Sequence, residues 1–133
     1  MDATAICVRD LMRTDVVTTE ETASLVEVAR KMRDLDVSSL VVERKNERDA
    51  LGMITRKDVV EALVSAEGGE SALLAGDVMT KPALSVSPDV SIALCMQMMR
   101  MVGVRRMPVV DGNRLVGILS NTDVFRHWVA ALD

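Results

Sequence analysis

The chain repeats itself, and that duplication limits its fold more tightly than any other feature of its 133 residues. Val8-Arg9-Asp10-Leu11-Met12 returns as Ala75-Gly76-Asp77-Val78-Met79, so Met12 maps onto Met79, 67 positions later. The same spacing carries Ser24 onto Ser91, Leu25 onto Ile92, Met32 onto Met99 and Val37 onto Val104. Further on, Gly52-Met53-Ile54-Thr55-Arg56-Lys57-Asp58 returns as Gly117-Ile118-Leu119-Ser120-Asn121-Thr122-Asp123 at a spacing of 65, so the first copy carries two extra residues in a loop. Chance produces one such match but not the whole series in order. Self-similarity at a fixed period marks a fold built from repeated units.

Each copy reads as β-α-β-β-α. A short extended piece opens it, Val16-Val17-Thr18 or Ala83-Leu84-Ser85-Val86. A helix follows, with Leu25, Val28, Ala29, Met32 and Leu35 at helical spacing behind a Ser24/Glu27 capping box; Ile92, Cys95, Met96, Met99 and Val102 trace the same stripe in the second copy. Two strands come next. Ser39–Val42 and Leu51–Ile54 flank the charged loop 43–49, while Met107–Val110 and Leu115–Leu119 flank Asp111-Gly112-Asn113, a tight-hairpin signal. The last helix starts after Thr55 or Ser120 and is expected to bury Val59, Leu63, Val124, Phe125 and Trp128. The expected boundaries are residues 8–66 for the first repeat, 67–76 for a linker around Glu67-Gly68-Gly69-Glu70-Ser71, and 77–132 for the second. A unit of about 60 residues is small to fold alone. Two copies packed as a pseudo-twofold pair bury each other's sheets and leave two equivalent clefts.

Composition narrows the function. Apolar residues at 49% suffice for a core, and charged residues at 27% fit an ordinary soluble surface. A net charge of −4 and an aromatic content of one Phe and one Trp argue against nucleic acid as a partner. No segment approaches the apolar length of a membrane helix, and the first residues read as no signal peptide, so a cytoplasmic location is expected. Cys7 and Cys95 lack metal spacing and read as reduced thiols, with Cys95 as core filler. His127 is the sole histidine, so neither a catalytic triad nor a zinc site can be assembled, and no enzyme is expected.

The repeated Gly-apolar-x-Ser/Thr-x-x-Asp element and the Met107-Pro108-Val109-Val110-Asp111 strand resemble the cystathionine-beta-synthase (CBS) domain pair, or Bateman module, over 8–132. The resemblance implies a mixed α+β fold, tandem CBS repeats in a stand-alone two-repeat protein, and a regulatory module that binds an adenine nucleotide and catalyses nothing. It gives ribose contacts to Asp58 and Asp123, and ribose or phosphate contacts to Thr55 and Ser120 beside them. It groups Thr55 and Asp58 with Ala83, Leu84, Arg105, Arg106, Met107 and Pro108 in one cleft. Ser120 and Asp123 join Val16, Val17, Ser38, Ser39, Leu40 and Val41 in the other.

The physical case for that role is that a carboxylate offers two acceptors to a sugar diol, at a helix start that favours negative charge. Taken singly, Thr-x-x-Asp and Ser-x-x-Asp are more often helix caps needing no ligand. Arg105 and Arg106 are either solvated strand-edge charges or phosphate contacts, and they favour AMP, ADP or ATP over S-adenosylmethionine, with an S-adenosylmethionine or NAD sensor as the alternative ligand reading. At most one of the two enters a cleft, since neighbouring strand residues face opposite ways. The helix 91–102 is apolar on nearly every face, including Leu94, Met98 and Met101, which predicts burial against a second chain and hence a homodimer. An interaction or scaffold dimer with unoccupied clefts is the competing reading. Any effector would be a separate protein.

Overall fold

The computed structural model describes residues 6–133. In chain order its elements are α1 (Val8–Leu11), β1 (Thr18–Thr19), α2 (Leu25–Leu35), β2 (Ser39–Val42), β3 (Gly52–Thr55), α3 (Arg56–Ser65), a single 3-10 turn at Glu70–Ala72, α4 (Ala75–Val78), α5 (Ile92–Val102), β4 (Arg106–Asp111), β5 (Arg114–Ser120) and α6 (Asn121–Ala130). They form two compact units that do not follow the order of the sequence copies. Val17–Ala83 makes one; residues 6–16 join Leu84–Asp133 in the other.

In the 17–83 unit, β1 runs parallel to β2, which pairs antiparallel with β3. Leu40, Val42 and Ile54 point to one side and pack with Leu25, Val28 and Met32 of α2, Val59 of α3 and Ala75 of α4. Ser24 caps α2 by accepting the Glu27 amide, and the Ser24/Leu73–Ala75 backbone pairing fixes α4 against that helix start. Helix α2 ends on Asp36 in the left-handed conformation (φ 50°); its counterpart on α5 is Gly103 (φ 81°), the residue such a cap prefers.

The other unit repeats the plan with one loss. Met107, Val109 and Leu119 of the β4–β5 hairpin pack on Ile92, Cys95 and Met99 of α5 and on Val8 of α1. The hairpin turns through Gly112 at φ 63°, as the Asp-Gly-Asn signal requires. The opening strand, however, shrinks to a single bridge between Val86 and Val109. The cause is Pro108. In the first unit Val41 donates its amide to the Val17 carbonyl; Pro108, the corresponding residue, has no amide to give.

The rearranged connectivity rests on two glycines. Thr80 exchanges backbone hydrogen bonds with Met53, and Arg13 does the same with Ile118. Each of these strand-like segments thus lies beside the hairpin of the other sequence copy. A methyl group on Gly117 would sit 2.8 Å from the Arg13 carbonyl oxygen and 2.7 Å from Met12 Sδ. On Gly52 it would meet the flexible Met79 Sδ at 2.8 Å, with the Thr80 carbonyl at 3.4 Å. A backbone oxygen yields less readily than a thioether. Gly117→Ala is therefore expected to cost about 1–3 kcal/mol, and Gly52→Ala less, in urea unfolding. Equal costs would contradict this account of the close approach.

Four charges clamp the far end of the 17–83 unit. Lys81 Nζ lies 2.7 Å from Asp49 and 3.0 Å from Glu21, and Lys45 Nζ lies 3.0 Å from the second Glu21 oxygen. The backbone amide of Lys45 and the Lys81 ammonium hold the Asp49 carboxyl down at about 2. Because that value is depressed, the stability it contributes is present above the ordinary carboxylate range and is lost as pH falls through about 2. Asp49→Asn should thus flatten the fall of melting temperature between pH 4 and pH 2. An unchanged slope would show that the clamp contributes nothing.

Three expected burials are corrected by the structure. Val59 is buried and Val124 packs against its core, but Leu63 is 42% exposed, Trp128 45% and Phe125 62%. Among the described residues α3 buries only Val59 and α6 buries none, so each helix meets its unit through a narrow stripe. Helix α5 is likewise not buried all round. Ile92, Cys95 and Met99 face the core with Met96 and Met98 beside them, whereas Leu94, Met101 and Val102 are exposed. Burial pushes the Cys95 thiol up, consistent with its place as filler.

Candidate functional site

Two strand-to-helix junctions carry the candidate chemistry. At the end of β3, Thr55 leaves the sheet in extended conformation and becomes the N-cap of α3. Its Oγ1 accepts the Asp58 amide at 3.2 Å, and Asp58 Oδ2 accepts the Thr55 amide at 2.8 Å. The same reciprocal bonding recurs where β5 meets α6. Ser120 Oγ accepts the Asp123 amide at 3.2 Å, and Asp123 Oδ2 accepts from the Ser120 amide at 3.1 Å and from its hydroxyl at 2.9 Å. The capping reading of these residues is thus correct in both copies.

The cap does not use up the carboxylate. In each copy the bonds run to Oδ2, and among the described residues Oδ1 accepts none. Thr55, Asp58, Ser120 and Asp123 are all half-buried, so the second oxygen is within reach of a ligand while the first holds the side chain in place. The site and the cap are compatible.

Sheet pairing sorts the remaining expected residues. In the 17–83 unit Ser39 stands directly opposite Thr55, and the Arg56 amide bonds the Ser38 carbonyl. Leu40 and Val41 continue that strand and are fully buried; Val17 lies alongside, and Ala83 bonds Leu51 through its amide. In the other unit Arg106 stands opposite Ser120, and the Asn121 amide bonds the Arg105 carbonyl. Arg105 is exposed, Arg106 half-buried, Met107 and Pro108 buried; Val16 and Leu84 belong to the same unit. The two expected clefts each draw residues from both units.

Sequence reasoning missed Arg13 and Thr80. They are brought beside the two motifs by the exchanged segments, and their only sequence signal is that each follows a matched methionine, Met12 or Met79. It also missed a polar cavity of about 420 Å³ in the 17–83 unit, lined by Thr18, Glu20, Thr22, Glu27, Lys31 and Glu43 among others. Of the expected residues, Val16, Val17 and Val41 lie within two positions of its lining. Among the described residues no group of three His, Cys, Asp or Glu is placed to hold a metal ion.

The duplicated junctions are matched by a sequence model of the CBS domain, first over residues 8–65 and again over 75–130. The chain belongs to the CBS-domain family. A protein of Methanopyrus kandleri is 34% identical over 124 residues, 92% of this CBS pair but 62% of that protein, so the pair spans less than two thirds of it. Hypoxic response protein 1 of Mycobacterium tuberculosis is 31% identical, with 90% of the pair and 82% of that protein covered.

Among solved structures, Hypoxic Response Protein I with two coordinated zinc ions has a TM-score of 0.76 at 30% identity, covering 91% of this chain and 98% of that one. A CBS domain pair in complex with 5'-methylthioadenosine and S-adenosyl-L-methionine has a TM-score of 0.80 at 23% identity, covering 94% and 97%. The mixed α/β fold expected of tandem CBS repeats is therefore the fold found. CBS pairs are regulatory ligand-binding modules. Among the described residues no helix is long and apolar enough to cross a membrane.

Proposed function

We propose that this CBS pair is a sensor that binds an adenine nucleotide (AMP, ADP or ATP) through its two helix-start motifs and performs no catalysis. The observation that carries the reading is the divided use of Asp58 and Asp123, with one carboxylate oxygen committed to the cap and the other turned to no partner among the described residues. A ribose presents two neighbouring hydroxyl donors, and an ionised acceptor strengthens bonds from both. Thr55, Ser120 and the starts of β2 and β4 would complete the contacts. The arginines Arg105 and Arg106 favour a phosphorylated adenosine over S-adenosylmethionine, which carries no phosphate. The relative solved with adenosyl compounds shares this fold at 23% identity, a precedent for the fold that does not choose the ligand.

The test is a set of thermal melts against AMP, ADP, ATP, S-adenosylmethionine and NAD. A ligand at 100 times its Kd stabilises by about 2.7 kcal/mol, a midpoint rise of several degrees for a chain of this size. The reading predicts that rise with at least one phosphorylated adenosine. No rise with any adenosyl compound favours the scaffold instead.

A homodimer accompanies the proposal. Leu94 and Met101 of α5 are 48% and 77% exposed, and Met98 lies half-buried between them and the core. Apolar side chains in that number on one helix call for cover by a partner surface. Light scattering at micromolar concentration should give twice the chain mass, and Met101→Glu should lower it to the monomer value. A wild-type monomer would remove this part of the proposal.

A further inference from the structure

We infer that Arg13 is the specificity-determining cation of the Ser120–Asp123 motif, reading a phosphate on the ligand whose ribose Asp123 holds. This rests on the proposed adenine-nucleotide function and deepens it. Met107, Val109 and Leu119 turn to the core of their unit, so Arg106, Ile118 and Ser120 share the opposite face, because side chains alternate along a strand. Arg13 exchanges two 2.9 Å backbone bonds with Ile118, and directly paired residues point the same way. The Arg13 side chain therefore stands on the face of Ser120, one diagonal step from it.

Its surroundings keep it available. Arg13 bonds Asp15 at 3.2 and 3.4 Å, but the pair is exposed, 51% and 74% for the two side chains. An exposed ion pair contributes little, so an incoming phosphate displaces Asp15 at small cost. Asp15 first, and Asp123 at longer reach, raise the basicity of the guanidinium, which places its charge within the field of the motif carboxylate. A guanidinium suits a phosphate because its fork donates two parallel hydrogen bonds.

The other unit supplies the contrast. Thr80 holds the position of Arg13, bonded to Met53 as Arg13 is to Ile118, and Ser39 holds that of Arg106. On its own sheet face the Thr55–Asp58 motif is thus flanked by hydroxyls and the Ser120–Asp123 motif by arginines, a placement distinct from the grouping of Arg105 and Arg106 with Thr55 and Asp58 that the resemblance implies. Sequence comparison of the copies shows the Arg106/Ser39 difference, but only the exchanged segments show that Arg13 adds to it.

Calorimetric titration of the full chain with AMP and with adenosine tests this. In an Asp58→Asn background, Arg13→Gln should weaken AMP about tenfold, the loss of one charge-assisted contact, and leave adenosine unchanged. In an Asp123→Asn background, Thr80→Arg should raise the preference for AMP over adenosine at the Thr55–Asp58 motif. An AMP affinity indifferent to Arg13→Gln, or an equal loss for both ligands, overturns the role of Arg13 while leaving the nucleotide reading standing. If AMP fails to bind the wild type, or binds Asp123→Asn and Asp58→Asn as well as it binds the wild type, the nucleotide reading falls and takes this inference with it.

Discussion

Leu119→Ala is expected to lower the unfolding free energy by about 2–5 kcal/mol, whereas Phe125→Ala, six residues along, should change it by less than about 0.5 kcal/mol in dilute solution. Both are large apolar residues near the end of the second copy. Leu119 is fully buried, opposite Met107 and against Ile92, Cys95 and Met99, so truncation removes transfer energy and leaves a cavity that a two-stranded sheet cannot collapse around. Phe125 is 62% exposed and already spends most of its surface in water. Urea unfolding of the two variants at low protein concentration decides the matter. A Phe125 cost comparable to that of Leu119 would mean that α6 is covered by something the single chain does not contain.

The second large effect concerns the motif carboxylates. Asp58→Ala and Asp123→Ala each delete half of a capping box, which costs about 1 kcal/mol of stability. Each is also expected to remove the charged acceptor for a ribose diol. Hydrogen bonds to a charged group contribute roughly 1.5–3 kcal/mol apiece, so a motif that loses two of them should lose about a hundredfold or more in affinity. The stability loss is predicted by the cap alone; the affinity loss is not. That separation distinguishes a cap that also binds from a cap that only caps.

Much of this was legible from the residues. The duplication announced two β-α-β-β-α copies, the Ser24 cap fixed the start of α2, and Asp111-Gly112-Asn113 located the hairpin turn. Thr55–Asp58 and Ser120–Asp123 could be placed at helix starts because the capping signal is local. What stayed hidden was non-local. Met12 and Met79 look alike, so nothing in either segment says that Arg13 will lie along β5 and Thr80 along β3. The loss of the opening strand needed a pairing partner for Pro108 to be known before its missing amide had a consequence. Leu63, Phe125 and Trp128 sit at helical spacing, and spacing alone does not tell a stripe that meets a sheet from one left in water.

The central claim is that a helix-start carboxylate in each copy holds a sugar diol with the oxygen its cap leaves over. The most direct measurement is the affinity of the Asp58→Asn, Asp123→Asn double variant for AMP by titration calorimetry, beside its thermal melt. Asparagine keeps an acceptor for the cap while withdrawing the charge, so the fold should survive with a melting temperature near that of the wild type. The account predicts an intact protein that no longer binds AMP measurably. Binding of AMP to that variant with wild-type affinity would contradict it outright.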